Sequence, residues 1–199
     1  MRVLNSKTGS TRNGSFALRA VCCLAILVCA LTISIRVTAQ KPLPREFQIK
    51  AVFLFNFTQF VQWPSTAFAT SNSPLVIGIL GEDPFGSYLD ETVNGEVVDN
   101  HPLVVERFAT SEDIRDCHIL FINLKEKDEI RRALDDLKSQ PVLTISDADP
   151  FAKMGGMIGF FTENSRIRIR INVDRTDEEN LIISSKLLSL AEIVSQKNN

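Results

Sequence analysis

The sequence predicts an α/β fold: a single compact domain with a mostly parallel open sheet flanked by helices, and an antiparallel hairpin near the C-terminus. Three observations carry that prediction. The apolar runs at 75–80, 118–122 and 141–145 are continuous rather than alternating, the pattern of strands buried on both faces of a parallel sheet. Segments of helical character separate them, so strand and helix alternate along the chain. Near the end, Arg166, Arg168 and Arg170 alternate with Ile167, Ile169 and Ile171, as a strand with one wet and one buried face does.

Residues 1–39 read as a cleaved secretory signal peptide and 40–199 as the folded domain. Arg2, Lys7, Arg12 and Arg19 form a basic start, Ala20 to Ile35 is apolar, and Val37-Thr38-Ala39 suits a cleavage site before Gln40. A membrane anchor is the competing reading, but the run is short against the roughly 20 apolar residues a span needs. Val28 before Cys29 is too large for a lipid-attachment site. Five of the 22 basic residues and none of the 24 acidic ones lie in this leader, so the mature chain carries 17 against 24, a net charge of −7. A domain this acidic is a poor non-specific nucleic-acid binder. Of four cysteines only Cys117 remains after cleavage, which leaves no internal disulfide and reads best as a small buried hydrophobe.

The first element of the domain is a helix from about Pro44 to Gln62. At about 100° per residue, Ile49, Phe53, Leu54, Phe57, Phe60 and Val61 share one broad arc, with Gln48, Thr58, Gln59 and Gln62 opposite. Asn56 falls at the edge of the arc and is expected to be partly buried and hydrogen-bonded. Phe55 falls among the glutamines, which marks it as a candidate recognition residue. Trp63, the only tryptophan, and Pro64 close the helix, because the residue before a proline is pushed out of the α region.

A loop over 65–74 leads to the first buried strand, and Asp83 with Pro84 predicts an N-cap and first helical residue for a helix to about Val93. Residues 102–108 form the next strand, Ser111 caps a short turn, and 118–122 is the third strand. Residues 125–138 form a surface helix with Ile130, Leu134 and Leu137 inward. After the strand 141–145, Asp149 and Pro150 repeat the cap arrangement before a short helix to Met154, ended by Gly155-Gly156. Strands 157–161 and 166–173 make the hairpin, joined by the four residues 162–165. Asp174 caps a short helix ending near Asn180, and Ser184 or Ser185 caps a last helix through about Val194.

No convergent catalytic set is present. Cys117 and His118 are adjacent on a strand, so their side chains point to opposite faces. With His101 as the only other histidine, neither a metal site nor a cofactor site is expected. The loop 81–86 stands where a phosphate-binding loop could be, but Glu82 and Asp83 bring negative charge and Pro84 lacks a backbone donor. Asp147 and Asp149 are better explained by a turn and a cap than as an acid–base pair. Two surfaces remain as partner-binding candidates: Phe55, and the stripe Arg166, Arg168 and Arg170. Asn56, Phe57, Phe60, Trp63, Pro64, Gly155, Gly156 and Asn172 are expected to be structural.

Four ordered segments carry a resemblance. They are residues 50–57 through Phe60-Val61-Gln62-Trp63-Pro64; Gly78 to Gly86; Pro141 to Asp147 with Gly155-Gly156-Met157-Ile158; and Ile171-Asn172 with Ser184 to Leu188. Together they resemble the YfiR-like periplasmic proteins, over about residues 46–194. The resemblance implies a compact α/β domain that acts by binding. It implies repression of an inner-membrane diguanylate cyclase through its periplasmic sensor domain, control of cyclic-di-GMP and biofilm, sequestration by an OmpA-like outer-membrane lipoprotein, and a homodimer. The alternative expectation is a periplasmic small-molecule-sensing domain feeding another membrane receptor, since open α/β sheets bind ligands at the carboxyl ends of their strands.

Overall fold

The computed structural model describes residues 43–195. The leader and cleavage site expected from the sequence, with Cys22, Cys23 and Cys29, lie outside the described residues. Among the described residues no helix is long and apolar enough to cross a membrane.

The centre of the fold is an eight-stranded sheet. Strand β1 (Val61–Gln62) stands apart from it. In chain order the sheet's strands are β2 (Leu75–Gly81), β3 (Val97–Val98), β4 (His101–Phe108), β5 (Ile119–Asn123), β6 (Leu143–Ser146), β7 (Ile158–Glu163), β8 (Arg166–Asn172) and β10 (Glu192–Val194). The small strand β9 (Ile182–Ile183) pairs antiparallel with β1. The spatial order is β10-β8-β7-β6-β5-β2-β4-β3. Pairs β4–β2, β2–β5, β5–β6, β6–β7 and β8–β10 are parallel; β7–β8 and β3–β4 are antiparallel. This is the predicted fold class, a mostly parallel α/β sheet with a hairpin near the C-terminus.

The continuous apolar runs are buried because both faces are covered. Ile77, Ile79, Ile119, Phe121, Leu143 and Ile145 face helix α1 (Arg45–Phe60), helix α2 (Ser87–Val93) and the short helix α5 (Ser185–Leu188). Leu80, Leu120, Ile122 and Val142 face helix α3 (Lys127–Asp136), whose Ile130, Ala133 and Leu134 are buried as its spacing predicts. Cys117 lies in this second core, free and buried, and desolvation pushes its thiol up to about 12.

Several boundaries differ from the sequence expectation. Helix α1 stops at Phe60 because Val61 and Gln62 pair with β9 instead, in register Val61↔Ile183. Pro44 is its N-cap residue rather than its first turn. Helix α2 starts at Ser87, not Pro84. Asp83 Oδ1 accepts from the N–H groups of Phe85 and Gly86 and so closes a turn, leaving Gly86, at φ 54°, as the N-cap. Asp149–Pro150 is cis and leads into an uncapped 3₁₀ turn, Phe151–Met154; the Asp149 carboxylate reaches Arg170 at 3.5 Å rather than capping. Glu163 pairs with Arg166, so the hairpin loop is the two residues Asn164 and Ser165, both at positive φ (50° and 60°). That turn matches the twist of the strands it joins.

Helix α4 (Val173–Glu178) is capped by Asn172, whose Oδ1 accepts from Arg175 N at 3.2 Å, and not by Asp174. Ser184 does cap α5, but that helix ends at Leu188 and the chain then adds β10 to the sheet edge, Ile193 opposite Ile171. Pairing with β8 satisfies backbone groups that an open edge would leave bare.

Candidate functional site

Helix α1 carries the most unusual local chemistry. Its buried arc is centred on Lys50, Ala51, Leu54, Phe57 and Thr58, so Ile49 is 39% exposed instead of anchoring the core. The arc is rotated because Lys50 has partners inside. Its Nζ donates to Asp147 Oδ2 at 2.6 Å, past the carboxyl end of β6, and to Glu46 Oε1 at 2.5 Å. The ammonium also lies 4.9 Å from the Phe47 ring centroid and 5.9 Å from that of Phe160, within range of the ring quadrupoles. Lys50 is only 2% exposed. A buried charge of this kind is tolerated only when paired. Thr58 is buried because its hydroxyl donates to Phe55 O at 2.6 Å.

The rotation turns other apolar residues outward. Ile49 and Val52 (42% exposed) join Phe53, Asn56 and Tyr88 of α2 in a shallow groove of about 370 Å³, rimmed by Arg45 and Gln48. Asn56 is half-buried as expected, but among the described residues its side chain makes no hydrogen bond within the protein, because it borders this open groove. Phe55 is half-buried and packs against the α1-side core. Phe57 is fully buried, and Phe60, Trp63 and Pro64 are half-buried where α1 turns into β1.

The strand order reverses at β2 and β5, the place where an open α/β sheet most often holds a ligand. Here the crevice is filled by the protein itself. Asn123 Nδ2 donates to Glu82 O at 2.7 Å, and a Cβ on Gly81 would stand 2.5 Å from Asn123 O. Arg107 Nε bonds Asp83 at 2.9 Å, and its two terminal nitrogens hold Asp90 at 3.0 and 2.5 Å. The guanidinium keeps the Asp90 carboxyl below the ordinary carboxylate range. With two amides taken by Asp83 and the charge balanced by Arg107, this loop has the turn role rather than a phosphate-binding one.

The arginine stripe is on the predicted face of the hairpin, yet most of its charge is balanced. Arg168 Nη1 meets Glu163 at 2.9 Å, and Arg170 meets Glu192 at 3.0 Å and stacks 4.0 Å over the Phe161 ring. Arg166 is exposed and has no ion pair among the described residues. Behind the hairpin, Asn172 is fully buried with its Nδ2 donating to Ala152 O at 2.9 Å. Gly155 takes φ 103°, and a Cβ on Gly156 would lie 2.1 Å from the Phe151 ring, so both glycines are required by geometry.

Sequence reasoning missed Lys50 and the Ile49–Val52 groove. A lysine on an amphipathic helix reads as solvated; only Asp147, 97 residues on, makes it an interior group. The one available signal was that Lys50 falls beside Phe57 and Leu54 on the helical wheel.

A family profile described as YfiR/HmsC-like matches residues 47–192. No curated relative matches the chain at significance.

Proposed function

The chain belongs to the YfiR/HmsC-like family, whose members are periplasmic regulators of diguanylate-cyclase signalling, and from that premise we propose that it binds the periplasmic sensor domain of an inner-membrane diguanylate cyclase and holds the enzyme inactive. The family match over residues 47–192 is the observation that carries this reading. A leader over residues 1–39, as the sequence predicts, would bring the domain into the same compartment as such a sensor. An OmpA-like outer-membrane lipoprotein that captured the domain would free the cyclase and raise cyclic-di-GMP.

The contact surface we propose is the outward groove of α1, with Ile49 and Val52 as anchors beside Tyr88. Apolar residues ringed by polar ones, exposed on a rigid helix, are the usual composition of a protein contact. Arg166 is a second contact for an acidic partner; Arg168 and Arg170 already have carboxylates beside them.

The test has two arms. Deletion of the gene raises cellular cyclic-di-GMP, and unchanged levels would end the repressor reading. In calorimetric titration of the purified domain with the sensor domain, Ile49→Asp with Val52→Asp weakens binding at least about tenfold, since each lost anchor is worth over 1 kcal/mol. Both positions are well exposed, so the double variant keeps its melting temperature. Arg166→Glu weakens binding more at low salt than at high salt. Wild-type affinity in the double variant would move the contact off this helix.

A further inference from the structure

The segment between β1 and β2, residues 63–74, crosses the amino-terminal edge of the sheet and is fastened there by two histidines. Trp63 Nε1 donates to the backbone carbonyl of His118 at 3.1 Å. The His118 ring sits under the segment, 2% exposed. Its Nδ1 accepts from the N–H of Val76, the second residue of β2, at 3.2 Å, so its Nε2 is the protonated nitrogen and donates to Ala67 O at 3.1 Å. The Phe68 ring is sandwiched between the His118 ring (centroids 4.4 Å apart) and the His101 ring (3.8 Å). His101 Nδ1 in turn donates to Ser73 O at 2.7 Å.

The two histidines are held differently. His101 is half-buried, carries its hydrogen on the nitrogen bonded to Ser73 and has no partner on its other ring nitrogen among the described residues. His118 has no such freedom. A proton on Nδ1 would face the N–H of Val76, donor against donor, so the ring can take it only by leaving its place, and its Nε2 bond to Ala67 and its stack on Phe68 are lost with the move. The charged and titratable groups bearing on it are His101 from β4, across the Phe68 ring, and Asp116 from the segment that leads into β5. Asp99, on the turn before β4, borders the same recess beside His101. β2 and β6 meet His118 with backbone groups, the Val76 N–H on its ring and the Leu143 N–H on its carbonyl.

We propose that His118 is an acid-labile latch: its protonation unfastens the 63–74 strap from the edge of the sheet and uncovers the aromatic cluster of Trp63 and Phe68. Burial, the largest influence on the ring, holds His118 below the ordinary histidine value, so the latch stays closed at neutral pH and opens only below about 6.5.

Trp63 is the only tryptophan, so its fluorescence reports the strap directly. On acidification from pH 8 to 5 the wild-type emission shifts reversibly to the red. His118→Gln, whose amide offers one donor and one acceptor without titrating, shows no such shift, and His101→Gln keeps it. A His118→Gln protein that still titrates as wild type, or a His101→Gln protein that does not, overturns the proposal. If His118→Gln does not fold, the ring resonances of the wild type decide. His118 titrates below about 6.5 together with the Trp63 indole N–H; titration of His118 with an unmoved indole resonance overturns the latch.

Discussion

Lys50 places an ammonium inside the domain between Asp147 and Glu46, against two phenylalanine rings. Such a cluster stabilises less than its short distances suggest, because taking the charge out of water offsets most of the attraction. The partners are unequal: Asp147 is the less exposed, and it ties α1 to the end of β6. We expect Asp147→Ala to lower stability by about 1.5–3 kcal/mol, the worth of a hydrogen bond to a buried charge. Lys50→Met, which removes the charge and keeps the volume, should cost less than that. Urea titrations of the two variants check the order, and a larger loss in Lys50→Met would show that the ion pair itself carries stability. Cys117 shows the reverse case. Its burial was legible from a lone cysteine beside an apolar run, and desolvation is the largest cause of its raised pKa.

At the scale of elements, local chemistry was read well where the residues that decide it are neighbours, and badly where they are distant. Helix α3 follows its own period. The hairpin follows the Ile–Arg alternation, and only its loop length needed the strands' twist to settle it. Ser165 takes φ 60° there, a conformation that costs a residue with a Cβ about 1 kcal/mol. Ser165→Gly should therefore raise the melting temperature by about 2–4 °C, measured by circular dichroism. No change would mean that the turn relaxes without glycine. Helix α1 and strand β10 are the contrary cases. The helix ends early because β9, more than 100 residues on, pairs with Val61, and residues 192–194, read as helix, become a strand because β8 offers an unpaired edge.

For the whole molecule, two of the described groups with lowered pKa, His118 and Asp90, contribute to the response to acid. His118 has a depressed folded pKa, so the stability it contributes is complete above the unfolded histidine value of about 6.5 and is lost as pH falls through the lower folded value. Asp90, lowered by Arg107, behaves in the same sense about the unfolded carboxylate value of roughly 3.9. Its share is small because the pair is well exposed. We expect the urea midpoint to fall first below about pH 6.5 and again below about pH 4. A midpoint flat from pH 7.5 to 5 would show that the folded His118 takes up its proton as readily as the unfolded chain does, and so that its pKa is not lowered.

By itself the sequence determined the fold class and the family. Continuous apolar runs, their alternation with helices and the ordered motifs are properties of neighbours along the chain, and burial on two faces follows from them directly. It also pointed to binding rather than chemistry, through the lack of any convergent polar set. Tertiary structure decided which way α1 turns. An amphipathic helix with aromatics on most of its faces can be buried in more than one rotation, and the choice rests on Asp147 accepting the Lys50 ammonium. That single distant pairing takes Lys50 inside, turns Ile49 and Val52 outward, and so sets the surface left for a partner.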